Sequence, residues 1–295
     1  MRLLLKFSAI FALVSCIGVA IIGWLSYRLM QDDARTQVLN QARLMMQAAR
    51  SVRDYTTLQV KPLLAPDQKR DNSFLPQTVP AYAATENFNY LRAGFPDYSY
   101  KEAALNPTNP RDRAVDWEAD IINAFRNKPQ LQELTGEREA TTGPSLFFAR
   151  PMLAGHDCLQ CHSQPGNAPK AMVDIYGSAN GFGWQEGSVI AAQIVSVPMS
   201  VPLQIARDAF RLQLIYLGVI LLVSLIVMNL VLYFTIARPV GYLSDMADKI
   251  SLGQFDVPEL PVRGKDEIAR LAGSFNRMRR SLVTAMRMLG DSGKD

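Results

Sequence analysis

Cys158-Leu159-Gln160-Cys161-His162 is the stretch that decides how this chain is read. It is the C-x-x-C-H pattern of covalent c-type haem attachment. Two thiols three positions apart can each form a thioether to a haem vinyl group. The histidine that follows is placed to give its imidazole to the iron. The chain has three cysteines and two histidines; two of those cysteines and both histidines, His156 and His162, lie in or next to this motif. A structural zinc site would need four ligands, usually from two separated pairs, and no second pair exists. A redox C-x-x-C normally opens a helix after a strand in a βαβ unit. The flanking Pro151, Gly155, Pro165 and Gly166 predict a loop instead. Covalent haem requires an oxidising compartment, so the motif must lie outside the cytoplasm.

The hydropathy pattern supplies that compartment. Phe7 to Tyr27 is uncharged, mostly apolar and about long enough to cross a bilayer. Leu212 to Ala237 is a second such stretch. Trp24 and Tyr27 border the first, and Tyr216 and Tyr233 lie near the ends of the second, as interfacial aromatics do. Arg2 and Lys6 before the first span and Arg238 after the second predict cytoplasmic termini, although Arg28, Arg207 and Arg211 blunt the bias. The expected organisation is residues 1–30 as cytoplasmic start and first span, 31–210 as an external domain, 211–237 as second span, 238–290 as a cytoplasmic module and 291–295 as a short tail. The place is the bacterial inner (plasma) membrane, two-pass, with the haem domain periplasmic. Leu13-Val14-Ser15-Cys16 resembles a lipoprotein cleavage box, but the apolar run continues to Leu25, which favours an uncleaved anchor with Cys16 in the membrane. Ser224 and Asn229 in the second span read as helix–helix contacts, because no ionisable residue accompanies them. The net charge of +4 needs no nucleic-acid partner. Arg277, Arg279, Arg280 and Arg287 read as a solvated face near anionic lipid.

Pro239 in Arg238-Pro239-Val240 is expected to break the helical hydrogen-bond ladder and re-aim the chain as it leaves the membrane. Apolar residues then recur at Val240, Leu243, Ala247 and Ile250, a coiled-coil seam. Gly253 ends that helix. An extended stretch with Phe255, Val257, Leu260 and Val262 is broken by Pro258 and Pro261. A second seam runs Ile268, Leu271, Phe275, Met278, Leu282, Ala285 and Leu289, opened by Asp266-Glu267. On Pro239, Gly253, Asp266-Glu267 and Phe275-Asn276-Arg277-Met278, the segment from about Ile236 to Leu289 resembles a HAMP domain. That resemblance implies a homodimer built on a parallel four-helix bundle that relays conformational signals. No histidine follows His162, and no kinase, cyclase or other catalytic motif is present. The expectation is a non-enzyme whose output passes to a separate cytoplasmic signalling partner, a kinase or cyclase.

Between the spans, Leu39 to Leu64 has helical character and predicts a helix running to Pro62, then irregular chain through Pro80. Trp117 to Arg126 reads as an amphipathic helix. Tyr98 to Ala104, Ser145 to Met152 and Ser188 to Val197 read as strands. The fold class is α+β: a small antiparallel sheet with flanking helices, PAS-like, between two transmembrane helices, then an all-α HAMP coiled coil.

Four segments carry a further resemblance: Val52-Arg-Asp-Tyr55 to Lys61-Pro62-Leu63-Leu64, Asn106-Pro107-Thr-Asn-Pro110, Cys158-x-x-Cys161-His162, and Gly181-Phe-Gly-Trp184 before a final strand. Over about 35 to 205 the chain resembles the Tll0287-like family of external haem-c domains. The resemblance implies one covalent haem c, a PAS-like fold and coupling to signalling modules. At least one member resembles a cytochrome with cysteine as second axial ligand; the remaining cysteine here, Cys16, is in the membrane. Cys158 and Cys161 are thus the expected thioethers and His162 the proximal iron ligand. The sixth ligand is open: Met46, Met45, Tyr55 and His156 are candidates, Met152, Met172 and Met199 further ones, and an empty position would admit a diatomic gas. Arg53, Arg92, Arg111, Arg113 and Arg150 could pair with propionates.

The expected function is a membrane-anchored haem-c sensor of redox state or gas that relays a periplasmic signal through HAMP. The alternatives are a membrane-tethered monohaem cytochrome for electron transfer with a redox partner, and the receptor part of a histidine-kinase-type system. A peroxidase has little support, because no distal acid–base histidine is available in this chain.

Overall fold

The computed structural model describes residues 2–71, 73–141, 143–262 and 264–291, with residues 2, 3, 287 and 289–291 described by backbone alone. Arg2, Arg287, Leu289 and the tail of 291–295 therefore fall outside the described side chains. The chain divides into two compact units, 27–210 and a second formed by 1–26 with 211–295.

The helices are α1 (Arg2–Tyr55), α2 (Lys61–Arg70), α3 (Pro80–Gly94), α4 (Asp116–Asn127), α5 (His156–His162), α6 (Lys170–Tyr176), α7 (Ser200–Leu232), α8 (Arg238–Ser251) and α9 (Glu267–Asp291). The strands are β1 (Ser99–Ala104), β2 (Leu134–Ala140), β3 (Gly143–Leu153) and β4 (Val189–Pro198). They form one antiparallel sheet in the order β1-β4-β3-β2. The α+β class and the three expected strands are present.

Two faces of this sheet follow from strand alternation. On one face Tyr100, Leu146, Phe148, Val195 and Val197 pack against Val38, Ala42, Met46 and Ala49 of α1, which recur every three or four residues as one helical stripe. On the other face Ala103, Ala149, Ala192 and Ile194 pack against Ile121, Ile122 and Phe125 of α4. Burying each large side chain such as Phe148 or Phe125 stabilises by roughly 2–3 kcal/mol. The start of α4 is held by Glu118, whose carboxylate accepts the Val115 N–H at 3.0 Å and pairs with Lys101 at 2.7 Å.

Three expectations are corrected. Pro62 does not end the first external helix: a π-helical turn at Thr56–Val60 intervenes, and Pro62 sits in the first turn of α2, where its missing N–H costs nothing. The Pro-rich stretch to Pro80 is helical as far as Arg70, with a 3₁₀ turn at Pro76–Thr78. Pro239 likewise sits in the first turn of α8, directly after a second π-helical turn at Tyr233–Ala237, and does not break the chain direction there.

In the other unit, the apolar parts of α1 and α7 are long and apolar enough to cross a membrane, and side chains such as Leu13, Ile21, Ile220 and Leu222 point outward. Inside it, Ser8 donates to the Asn229 side-chain oxygen at 2.6 Å and Ser26 to Gln213 at 2.6 Å. Asn229 is thus the interhelical contact its position predicts. Gly253 has φ +80°, and Gly253 N–H and Gln254 N–H return to the carbonyls of Ile250 and Lys249, closing α8. Asp266 caps α9 by accepting the Ala269 N–H at 2.8 Å. Leu243, Met246, Leu260 and Ala272 form a small core, with Val257 and Phe275 against it. Within a single chain the buried stripe of α8 is Leu243, Met246 and Ile250, while Ala247 and Val240 remain exposed.

Candidate haem site

The motif folds as α5, not as a loop. Gly155 is extended, and the helix starts at His156 with Asp157 in its first turn. Helical spacing puts Cys158, Cys161 and His162 on adjoining positions, three and four apart. Both cysteines are free thiols of intermediate exposure. The helix follows β3, yet the next strand, β4, pairs with β3 antiparallel, so no βαβ crossover of the redox-motif kind exists here. Among the described residues no three His, Cys, Asp or Glu side chains cluster as a metal cage.

His162 is fixed by a loop from far along the chain. Its Nδ1 lies 2.7 Å from the Gly181 carbonyl oxygen. A carbonyl only accepts, so Nδ1 carries the proton and Nε2 keeps its lone pair for a metal. Burial lowers the imidazole pKa, with the Gly181 contact opposing, so the neutral ligating form is favoured. The Trp184 ring stacks on the imidazole at 4.0 Å and 14°. Gly183 N–H and Trp184 N–H donate to the carbonyls of Ser163 and His162, satisfying the end of α5. Gly181 has φ +81°, and an added Cβ would lie 2.0 Å from Thr108 Oγ1 and 2.9 Å from Thr108 Cα. Only glycine lets this carbonyl reach the histidine.

A cavity of about 150 Å³ opens beside His162. Its walls include Met152, Met172, Tyr176, Trp184 and Ile190, with Glu102 at one side. Glu102 is buried and accepts from Arg53 at 2.5 and 2.6 Å and from Tyr100 at 2.6 Å. Gln193 donates to the Tyr100 hydroxyl at 2.9 Å. Burial first, then the Glu102 charge, drives the Tyr100 pKa far above its usual range, so the phenol stays protonated. Burial pushes the Cys161 thiol up, against the opposing charge of Lys61. The four sequence segments that carry the resemblance thus meet at one place, through Arg53 and Lys61, Thr108, the Cys158–His162 helix, and the Gly181–Trp184 loop.

The sixth-ligand candidates are scattered. Met46 is buried in the α1–sheet core, Met45 packs against that core, and Met199 is buried in it. Tyr55 is exposed. The His156 side chain is 82% exposed, with Glu186 3.9 Å away. None of these lines the cavity, whereas Met152 and Met172 do. Of the arginines, Arg53 is committed to Glu102, Arg111 to Glu86, and Arg150 leans on Phe148 and Glu133. Sequence reasoning missed Gly181's carbonyl and the Glu102–Tyr100–Gln193 chain. The glycine-rich Gly181-Phe-Gly signal was visible, but its partner was not.

Two free thiols on one helical turn, an imidazole with its outer nitrogen fixed, and a largely apolar cavity fit a thioether-linked haem. The cavity is smaller than the roughly 300–1,000 Å³ of pockets that enclose a whole ligand, so a macrocycle would be enclosed only in part.

The fold, the two long apolar helices and the helical coda define a membrane protein that joins an α+β sensor domain to a signalling module. Residues 31–198 match the Tll0287-like family, more than half of the chain, and 231–284 match the HAMP domain. The chain belongs to the Tll0287-like family. Among solved structures it is similar to the crystal structure of the cyanobacterial heme-protein Tll0287, at 16% identity and a TM-score of 0.42, covering 54% of this chain and 94% of that one. No curated protein matches the chain.

Proposed function

We propose that this protein is a homodimeric haem-c sensor of the bacterial plasma membrane, with its α+β domain in the periplasm and both termini in the cytoplasm. The observation that carries the reading is His162, held through Nδ1 by Gly181, on the same short helix as two free thiols, in a chain that also bears HAMP. Cys158 and Cys161 would hold one haem by thioethers, and His162 Nε2 would be the proximal ligand. When bound, the haem supplies a one-electron couple and, at an open sixth position, a diatomic gas site.

The chain's own residues supply the response. Trp184 and Gly181 fix the imidazole plane, so His162 would couple a bound haem to the Gly181–Trp184 loop. Glu102 lies at the cavity wall with Arg53, so added positive charge there weighs on a buried ion pair reaching α1. HAMP would pass the resulting bias to a separate cytoplasmic kinase or cyclase, by differential stabilisation of two bundle arrangements. Met152 and Met172 are the methionines placed to approach the cavity.

The test uses the full chain, produced in a host that attaches c-type haem and purified in detergent. Absorption spectra are taken oxidised, reduced and with CO. The expected result is a haem that survives a denaturing gel, is lost in Cys158→Ser/Cys161→Ser, and changes its spectrum in His162→Ala. Haem that leaves the wild-type protein on denaturation would overturn the covalent assignment. Displacement of a sixth ligand by CO separates the gas reading from a purely redox one.

A further inference from the structure

The face of the sheet that carries α4 is only partly covered by it. Beside α4 lies a polar cleft of about 440 Å³, remote in character from the apolar cavity at His162. Its floor is Ser99, Lys101, Ile194 and Ser196, which face the same way because Ser99 pairs with Ser196 and Lys101 with Ile194. One wall is α3, whose Thr85, Asn89 and Arg92 recur at four and three residues and form a single stripe. The other wall is Trp117 and Arg138, and two carboxylates also line the cleft, Glu118 paired with Lys101 and Asp112 beside Arg111 at 3.7 Å.

The cations of this cleft divide into two kinds. Lys101 is paired with Glu118 and donates to the Arg113 carbonyl at 2.8 Å. Arg111 is paired with Glu86 and lies over the Tyr82 ring. Arg92 and Arg138, by contrast, have no carboxylate or hydrogen-bond partner among the described residues. Arg138 only stacks on Trp117, its guanidinium 4.2 Å from the ring centroid. The hydroxyls of Thr85, Ser99 and Ser196 and the Asn89 amide likewise have no protein hydrogen-bond partner among the described residues; none of these polar atoms is sealed from solvent, so they are open to the cleft. Water meets these groups in the empty cleft, and a ligand's oxygens could take the place of that water on several of them at once.

We propose that this cleft is a second ligand site, taking a small organic carboxylate held by Arg92 and Arg138. Guanidinium forks match a planar carboxylate in bidentate fashion. The Trp117 ring and Ile194 give a carbon skeleton something to lie against, which an inorganic ion would not use. The hydroxyls and Asn89 suit further oxygens on the ligand. The volume is that of an ordinary small-molecule pocket, roughly 300–1,000 Å³. The cleft shares Arg111 and Asp112 with the lining of the cavity at His162, and Arg92 is also a propionate candidate, but Arg138 belongs to this cleft and not to that cavity.

The test is calorimetric titration of the full chain in detergent with succinate, acetate, inorganic phosphate and the neutral analogue succinamide. Succinate or acetate is expected to saturate one site per chain, and succinamide not to bind. Arg138→Gln and Arg92→Gln should each weaken binding at least tenfold with unchanged melting temperature. Asn89→Leu, at an exposed position, provides an arm that does not touch charge and should also weaken binding. No saturable binding of either carboxylate, wild-type affinity in both arginine variants, or tighter binding of phosphate than of both carboxylates overturns the proposal.

Discussion

Gly181 shows how a single residue sets the chemistry of another nineteen positions away. Its carbonyl accepts the proton of His162 Nδ1, which holds that proton on one side of the ring and leaves Nε2 unprotonated. Gly181→Ala would force a left-handed φ on a side chain and drive its Cβ into Thr108. We expect a loss of about 2 kcal/mol or more in a thermal melt, with a perturbed haem spectrum in the folded fraction. Asp112 offers a pH test. Burial, then Glu102, raise its pKa from 3.8 to about 6, against the opposing charges of Arg111 and Lys101. The folded state therefore holds the Asp112 proton more tightly than the unfolded chain, and stability falls as pH rises from about 4 to about 6. Asp112→Asn should remove that loss, gaining of order 2 kcal/mol over wild type at pH 7.5 and little at pH 4. Melts of both proteins across that range check the sign. The residues proposed to hold the haem, Cys158, Cys161 and His162, were legible as candidates because their spacing is itself the signal. Gly181, Glu102 and Tyr100 were not, since each acts through a partner that only the tertiary fold brings near.

At the scale of elements, legibility followed hydrophobic period. The β4 run is buried at nearly every position and declared itself as a strand. The edge strand β2, Leu-Thr-Gly-Glu-Arg-Glu-Ala, did not: its residues alternate between half-buried and exposed, and a charged, Gly-bearing run reads as loop. Gly136 is nonetheless needed there, because the Phe147 ring lies over it where a Cβ would sit 2.6 Å away. The prolines misled for one reason. Pro62 and Pro239 each open a helix after a π-helical turn, and a sequence shows the proline without the turn that accommodates it. Asn276 of α9 was quoted only as part of a motif, yet it accepts the N–H of connector residue Leu260 at 3.0 Å and donates to the Leu260 carbonyl at 2.9 Å. Asn276→Ala leaves two buried backbone groups unmet, at about 1–3 kcal/mol each. Hydrogen exchange at the Leu260 amide should accelerate by at least tenfold while the amides of β4 keep wild-type rates.

At the scale of the whole molecule, the sensor and tethered-cytochrome readings diverge. A sensor must give HAMP two arrangements that depend on the haem; a tether need not. Leu271 is 52% exposed in the single chain, where a partner helix could cover it. Cysteine placed at Leu271, with Cys16 replaced, should crosslink the dimer to different extents with haem oxidised, reduced and CO-bound. Equal crosslinking in all three states would remove the sensor reading and leave the tether. Order along the chain was legible throughout, because span, motif and seam each have their own length and period. The strand order β1-β4-β3-β2 was not, since it depends on which edges meet rather than on any local pattern.

The π-helical turn at Tyr233–Ala237 acts as a phase setting between the apolar helix before it and α8 after it. A π turn holds one residue more than the α-helical ladder would, and one residue is about 100° of rotation. Loss of a single residue there would return the helix to plain α geometry and turn the Leu243–Met246–Ile250 stripe by about a quarter of a circle. Substitutions in this protein would grade a signal; a one-residue deletion at 233–237 would re-index it, swapping which face of α8 is read as inside.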